Sequence, residues 1–133
     1  MKKYFVRLLI LFGFAVLHHS CHDENPVVTI SSIYGSWVRE ITDSEGIVFT
    51  ARLSLKSNNT YDFEVLSVAP GHSDGTGGFK ISSGFLTIID DAQCGFNGSY
   101  EFVIGLKSLA LVAFDDDCPP RVTALQGVWT KEN

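Results

Sequence analysis

Beyond residue 20 the sequence has no long apolar run and no cluster of basic residues. Asp, Gly, Ser or Lys interrupts every later apolar stretch within a few residues, so none approaches the roughly 20 apolar residues of a transmembrane helix. Residues 1–20 hold three of the ten Lys and Arg residues and none of the fifteen Asp and Glu residues, which leaves a formal net charge of −8 on residues 21–133. A chain this acidic repels phosphates, so we expect no nucleic-acid partner.

The first twenty residues have the profile of a secretory signal peptide. Lys2, Lys3 and Arg7 form a basic start, and residues 8–17 are then apolar. About ten apolar residues are too few to span a bilayer as a helix, but they suit the apolar region of a signal peptide. We therefore predict that the chain is exported and that residues 1–20 are removed.

Only three cysteines are present, and export would place them where disulfides persist. Cys21 follows the predicted signal peptide directly, and Cys94 and Cys118 remain as two thiols that can pair. Residues 16–21 read Val-Leu-His-His-Ser-Cys and resemble the lipobox of bacterial lipoproteins, although His18 stands where a small or aliphatic residue is usual. The resemblance implies that Cys21 carries the acyl chains that attach the protein to a membrane.

Residues 21–32 then form a lipidated cysteine and a flexible tether, because residues 22–26 are short, acidic and end in proline. The expected location is the cell envelope of a Gram-negative bacterium, at the outer membrane. Two alternatives remain open for Cys21. One is a zinc cluster with His18, His19 and His22, and the other is ordinary secretion with a free or paired thiol.

From residue 33 onward the apolar residues recur at every second position, with no sustained helical spacing. Residues 47–56 are the clearest case, since Phe49 and Leu53 point to one face and Arg52 to the other. The same pattern predicts eight short antiparallel strands in domain 33–133, with no room for a crossover helix. The predicted strands are 34–42, 47–56, 60–69, 78–82, 85–90, 98–104, 108–114 and 125–131.

Eight such strands can form an open sheet, a sandwich or a closed barrel, and the two ends of the domain favour closure. A Gly-x-Trp unit, Gly35 to Trp37, opens the first predicted strand, and another, Gly127 to Trp129, lies in the last. Pairing of these strands would seal an up-and-down barrel and bring both indoles to the same end of it. Each glycine would let an indole pack over the neighbouring backbone.

These residues also carry a family resemblance. Gly35-x-Trp37 followed by hairpins is similar to the start of lipocalin and other calycin barrels. Residues 117–121, Asp-Cys-Pro-Pro-Arg, followed by Leu125-x-Gly127-x-Trp129 and with Cys94 upstream, resemble the lipocalin-like domain of small bacterial lipoproteins. Classical lipocalins are longer and carry a conserved arginine beyond the last strand near the tryptophan, so Arg121, which precedes that strand, does not take its role.

The predicted strand order also tests whether the two later cysteines can meet. Cys94 and Cys118 fall in the fifth-to-sixth and seventh-to-eighth connections, which share one rim of an up-and-down barrel, as a disulfide requires. Such a bond closes a loop across a sequence separation of 24. In the chain-entropy model this is worth about 3 kcal/mol of stability.

Other motifs point weakly to chemistry. Asp90, Asp91 and residues 115–117 place five carboxylates on the rim of the disulfide, either as a Ca²⁺ site or as solvated charge with Arg121 neutralising one of them. His72, Ser73 and Asp74 are adjacent in one loop and cannot orient as a hydrolytic triad. We therefore predict no enzyme activity, no cofactor and no metal.

The barrel interior is the remaining candidate site. Seven inward apolar side chains either line a pocket for a small apolar ligand, with the four connections of one rim as its mouth, or fill the interior. They are Phe49, Leu53, Phe63, Val65, Phe102, Leu109 and Leu111. The first case predicts a lipid-anchored binding module. The second predicts a structural or protein-interaction barrel of the envelope, with an unidentified partner.

Overall fold

The computed structural model describes residues 33–133, so the predicted signal peptide (1–20), Cys21 and the tether (21–32) lie outside the described residues. The described part consists of eight strands and one short helix. In chain order they are β1 (Gly35–Thr42), β2 (Val48–Leu55), β3 (Thr60–Val65), β4 (Gly75–Ser82), β5 (Phe85–Ile89), β6 (Gly98–Ile104), β7 (Ser108–Asp115), α1 (Pro119–Leu125) and β8 (Gly127–Lys131).

The sheet closes on itself. Each strand pairs antiparallel with the next, and β8 pairs with β1, where Trp37 lies opposite Lys131 and Val38 lies opposite Thr130. A closed sheet has no free strand edge left to pair with another chain. The prediction of an all-β, eight-stranded antiparallel up-and-down barrel is therefore confirmed.

Alternation along the strands builds the core. In β2 the inward side chains of Phe49, Ala51, Leu53 and Leu55 are all buried, while the residues between them are partly exposed. The core cluster is drawn from residues between Ile33 and Trp129, on every strand of the sheet. A closed sheet around a core of its own is the property of a domain that folds independently.

The connections place two sets of loops at opposite ends. Loops 43–47, 66–74 and 90–97 and segment 116–126 lie at one end, which we call the upper rim. The start of β1, loops 56–59, 83–84 and 105–107 and the end of β8 lie at the other, the lower rim. Ile33, the first described residue, therefore lies at the lower rim.

Three predicted strand boundaries are wrong, and one of these errors comes from a short helix that was not predicted. The third strand ends at Val65 rather than at residue 69, and β4 starts at Gly75 rather than at residue 78. The seventh connection was predicted as a loop but contains α1, which begins with two prolines. Proline suits a first helical turn because it has no backbone N–H, and the N–H groups of that turn would lack a partner within the helix. One seven-residue helix is too short for helical spacing to stand out. Because α1 includes Leu125, the last strand starts at Gly127.

The prediction that both indoles close the same end of the barrel is also wrong. The Trp37 Nε1–H donates to the Ile33 carbonyl at 2.9 Å, and the Trp129 Nε1–H donates to the Leu125 carbonyl at 2.9 Å. Ile33 precedes β1 at the lower rim and Leu125 precedes β8 at the upper rim. The two strands run antiparallel, so each indole is held toward its own rim.

Candidate functional site

A cavity of about 380 Å³ opens at the upper rim, and we call it the rim cleft. Its walls come from loops 43–47, 66–74 and 90–97 and from α1, and aromatic side chains of β2 and β3 project into it from below. The lining residues are Asp43, Ser44, Glu45, Phe49, Tyr61, Phe63, Pro70, Gly71, His72, Ser73, Gly75, Asp91, Gln93, Pro119, Pro120, Arg121, Thr123, Ala124 and Leu125. The site lies where the four connections of one rim were predicted to form a mouth.

Below the rim cleft the interior is filled by packed side chains. Leu53, Leu109 and Leu111 are at most 1 % exposed and belong to the core cluster. Val65 and Phe102 are partly buried and pack against that cluster. Of the seven side chains predicted to line a pocket, Phe49 and Phe63 therefore line the rim cleft and these five do not. The available space is a shallow cleft above a solid core.

Tyr61 brings a hydroxyl to the cleft. Its side chain packs over Gly77, where a Cβ atom would lie 2.9 Å from Cε1, and the residue is only 4 % exposed. Burial raises the pKa of Tyr61 to about 12, with a further increase from the charge of Asp91 and a decrease from that of Arg121. Within residues 33–133 no hydrogen bond to this hydroxyl is found. Among the described residues the phenol therefore has no hydrogen-bond partner, and it lines a cavity wall.

His72 and Asp43 form a polar pair on the opposite wall. The His72 Nε2 and Asp43 Oδ2 atoms are 2.7 Å apart, and the imidazole stacks on Phe49 with 4.2 Å between ring centroids. The hydrogen bond from His72 lowers the pKa of Asp43, helped by the backbone N–H groups of Ile47 and Glu45. His72 thus pairs across the cleft rim with a residue 29 positions earlier, whereas the neighbouring Asp74 accepts from the Val65 backbone N–H.

Arg121 is buried at the base of α1 and ties together three parts of the upper rim. Its Nε and Nη2 groups donate to the two carboxylate oxygens of Asp116 at 2.7 and 2.8 Å. Its Nη1 group donates to the Phe96 carbonyl at 2.8 Å and to Asp91 at 3.3 Å. Burial alone would raise the pKa of Asp116, but bonds from Arg121 and Tyr100 lower it. Two of the five clustered carboxylates therefore neutralise one arginine, while Asp90, Asp115 and Asp117 are exposed.

The predicted disulfide is present and braces the same wall. Cys94 in loop 90–97 is bonded to Cys118 at the start of α1, with a Cα separation of 5.9 Å. Loop 90–97 carries Asp91 and Gln93 into the rim cleft, and α1 carries Arg121. The cross-link therefore holds two lining segments together.

A second cavity of about 400 Å³ adjoins the rim cleft on the side of the barrel, and we call it the side opening. It is formed by residues 62–64, 74–76 and 91–93, and it shares Phe63, Gly75, Asp91 and Gln93 with the rim cleft. It lies where β3 continues beyond its pairing with β4, which ends at Phe63 opposite Gly75.

Two searches of the described chain bear on other kinds of site. Residues 33–133 do not group three or more His, Cys, Asp or Glu side chains in a way that would hold a metal ion. The same residues contain no helix with the length and apolar character needed to cross a bilayer.

Sequence reasoning missed Tyr61, Asp43 and the two cations that cover the indoles. The Lys131 Nζ atom lies 4.3 Å from the centroid of the Trp37 ring, and the Arg39 Cζ atom lies 4.9 Å from that of Trp129. The sequence did carry a signal for these cations, a repeated Gly-x-Trp-x-Lys/Arg unit. In it Arg39 follows Trp37 by two residues and Lys131 follows Trp129 by two residues, and each cation covers the tryptophan of the other unit. No such signal marks Tyr61, because it occupies an inward position of an alternating strand like any other core residue.

Fold and site together define a small closed antiparallel barrel with a solid core and an open cleft at one rim. Comparison of the chain with protein-family models, with curated proteins and with solved structures finds no match.

Proposed function

We propose that this chain is a membrane-anchored lipoprotein whose lipocalin-like barrel binds a small molecule with an apolar part in the rim cleft. The observation that carries the proposal is the cleft itself, with three aromatic side chains and the Tyr61 hydroxyl on its walls. Its volume of about 380 Å³ falls in the range of small-molecule sites. Such sites are mostly apolar and contain a few polar groups that orient the ligand.

The filled interior favours binding at the rim over binding deep in the barrel. An eight-stranded barrel encloses just enough space for its own side chains or for one small ligand. Here Leu53, Leu109 and Leu111 point inward and are at most 1 % exposed. A ligand would therefore rest on Phe49 and Phe63, with the loops of the upper rim around it.

The anchoring part of the proposal rests on residues 1–32 and on where the barrel begins. The signal-peptide profile and Cys21 support lipidation, and the Cys94–Cys118 disulfide is typical of an exported protein. Eleven tether residues would reach at most about 36 Å when extended. Because Ile33 lies at the lower rim, the rim cleft would face away from the membrane, in the envelope of a Gram-negative bacterium and at its outer membrane.

The lipocalin-like resemblance gains support from the closing strands. The resemblance places a cation beyond the last strand near the first tryptophan. Lys131 ends β8, lies over Trp37 and donates to the Tyr34 carbonyl at 2.7 Å. Lys131, the last residue of β8, thus supplies a cation near the first tryptophan, as the arginine beyond the last strand does in classical lipocalins.

A second candidate function, a protein-interaction module of the envelope, is favoured by an apolar patch on the outer face. Val103, Val112 and Phe114 on β6 and β7 are at least half exposed, and Phe114 packs edge-on against Phe85. Exposed apolar patches often mark interaction sites. This reading does not use the rim cleft, so the two candidates make different predictions.

The test is a small-molecule screen by NMR on residues 22–133, with a cleft-filling variant. Gly75 lines the rim cleft, and a Cβ atom added to it would meet nothing within 4 Å. We expect hits that shift resonances of the cleft residues and that are lost in Gly75→Leu. Lys80→Leu adds the same side chain to the outer face of β4 and should keep them. Hits confined to the outer patch of β6 and β7, or no hits, would contradict ligand binding in the cleft.

A further inference from the structure

The charged groups around the rim cleft are predominantly acidic. Asp43, Glu45 and Asp91 line it, and the basic residues of 33–133 that line it are Arg121 and His72. His72 is already bonded to Asp43. A ligand entering the cleft therefore meets carboxylates.

Arg121 is not available to bind an anion. Its side chain is only 3 % exposed, and Asp116, which is fully buried, takes two of its hydrogen bonds. The remaining bonds described for it go to Asp91 and to the Phe96 carbonyl. Because Arg121 already bonds the carboxylates of Asp116 and Asp91, its charge is not available to an anionic ligand.

The side opening extends the acidic surface. Asp62, Glu64, Asp74 and Asp91 line it, and none of the described residues that line it is basic. Asp62 and Glu64 have partners outside the opening, Lys56 and Arg52. The Asp74 carboxylate accepts a hydrogen bond from the Val65 backbone N–H, which is uncharged. Among the described residues no basic side chain pairs with Asp74, so its negative charge is not neutralised.

The Tyr61 hydroxyl is a second and independent sign of a ligand. It is a polar group on a side chain 96 % removed from solvent, without a hydrogen-bond partner in the described chain, and it faces the cleft beside Asp91. The hydroxyl can both donate and accept a hydrogen bond, so a ligand in the cleft can bond to it. The ring itself, with Phe49 and Phe63, presents aromatic faces of the kind that attract cations.

We propose that the ligand of the rim cleft is a small organic cation, a protonated amine that carries an apolar body. The ammonium group would lie by Asp91 and the Tyr61 hydroxyl, and the apolar body would lie on Phe49 and Phe63. An organic anion of the same shape is disfavoured because it would bring a further negative charge to the carboxylates. This inference rests on the proposed function, since it assigns a chemical class to the occupant of the same cleft.

The test compares three fluorescent probes that share a dansyl group and a five-carbon linker and differ in the group at the end of the linker. Dansylcadaverine ends in an amine, N-dansyl-6-aminohexanoic acid ends in a carboxylate, and N-pentyl dansylamide is neutral. We expect residues 22–133 to bind the amine at least about tenfold more tightly than either of the others, a difference of about 1.4 kcal/mol. Added salt should reduce this preference, because salt screens charges that remain partly solvated.

Two matched pairs of variants locate the charge selectivity. Tyr61→Phe should weaken amine binding about threefold to tenfold, whereas Tyr34→Phe, the same change at the lower rim, should leave it unchanged. Asp91→Asn should remove most of the preference for the amine, whereas Asp115→Asn, which changes an exposed aspartate that lines neither cavity, should not. Melting temperatures measured for all four show whether a loss of binding reflects unfolding.

The outcomes separate this inference from the proposed function. Equal binding of the three probes, or tighter binding of the carboxylate, with all binding lost in Gly75→Leu, would overturn the cationic class and leave the binding cleft in place. Absence of binding by every probe, together with an empty NMR screen, would overturn both. An amine preference that survives Tyr61→Phe and Asp91→Asn unchanged would also overturn the inference.

Discussion

At the scale of single residues, Arg121 shows how a buried charge can hold a loop-rich rim together. It bonds Asp116 twice and reaches loop 90–97 through the Phe96 carbonyl. Its guanidinium group also lies 5.6 Å from the centroid of the Phe96 ring. A buried pair of this kind is costly to break, because the remaining partner keeps its charge away from water.

We predict that Arg121→Leu lowers the free energy of unfolding by about 3–5 kcal/mol, because it leaves the buried Asp116 carboxylate without its partner. Urea denaturation of residues 22–133 measures the change. The control is Arg52→Leu, which removes an arginine paired with Glu64 and Glu132 on the outer face. These side chains are about a third to a half exposed and solvent screens their charges, so the loss should be much smaller than for Arg121→Leu. Similar losses for the two variants would show that Asp116 does not depend on Arg121.

The same cluster predicts how stability depends on pH. The pKa of Asp116 is lower in the folded chain than in an unfolded one, because the bonds from Arg121 and Tyr100 outweigh the effect of burial. A depressed carboxyl pKa contributes stability above its unfolded value of about 3.9, and this contribution is lost as the pH falls through the folded value.

We therefore expect Asp116→Asn to be less stable than the original chain at pH 7. The difference should narrow below about pH 4, where Asp116 of the unfolded original chain takes up a proton before Asp116 of the folded chain does. Urea denaturation between pH 7 and pH 2 follows both proteins. Asp115→Asn, the exposed neighbour, should track the original chain throughout. A gap between Asp116→Asn and the original chain that stays constant to pH 2 would contradict the assigned pKa shift.

At the scale of elements, β1 and β8 close the barrel with the same five-residue unit, Gly-x-Trp-x-Arg in β1 and Gly-x-Trp-x-Lys in β8. In each unit the indole donates to the carbonyl four residues earlier. The cation of each strand lies over the indole of the other and bonds the backbone just ahead of the glycine, Lys131 at Tyr34 and Arg39 at Gln126. The seam is therefore built from two equivalent halves related by an approximate two-fold axis between the strands.

The glycine of the second unit should tolerate no side chain. Gly127 has a φ of +139°, and a Cβ atom there would overlap the Arg39 guanidinium group. Gly127→Ala should lose about 1–3 kcal/mol from the backbone conformation alone, with a further loss as Arg39 is displaced from Trp129. Gly46→Ala is the control, since its φ is +82° but its Cβ would meet nothing within 4 Å. Urea denaturation giving equal losses for the two would show that the Arg39 contact does not contribute.

The elements also show which features a sequence can predict and which it cannot. Alternation in residues such as Phe49 and Leu53 depends on backbone period alone, so the strands were predictable to within a few residues. The Cys94–Cys118 bond followed from strand order in the same way. The pairing of His72 with Asp43 and the bonds of Arg121 depend on how loops fold over the upper rim, and no local pattern encodes contacts between residues 29 or 30 positions apart.

At the scale of the whole molecule, closure was predictable because the two ends of the domain carry matching units, but the usable space was not. The predicted lining set assumed that inward apolar side chains surround a pocket. Whether they surround a pocket or fill the interior depends on side-chain volume and packing, and here Leu53, Leu109 and Leu111 are part of a filled core. The cleft arises instead because α1 and the upper loops stand above this core, a feature of loop conformation rather than of strand periodicity.

The position of the cleft also predicts the orientation of the anchored protein. The tether from Cys21 would meet β1 at the lower rim, where Leu106 is 97 % exposed, whereas Ser44 is exposed on the upper rim beside the cleft. A nitroxide-lipid quencher in proteoliposomes of the lipidated chain should therefore quench a fluorophore on Leu106→Cys more strongly than one on Ser44→Cys. Cys21→Ser should release both labelled proteins from the membrane fraction, which serves as the control for anchoring. Stronger quenching at residue 44 would place the cleft against the bilayer, where it would be open to lipids rather than to soluble amines.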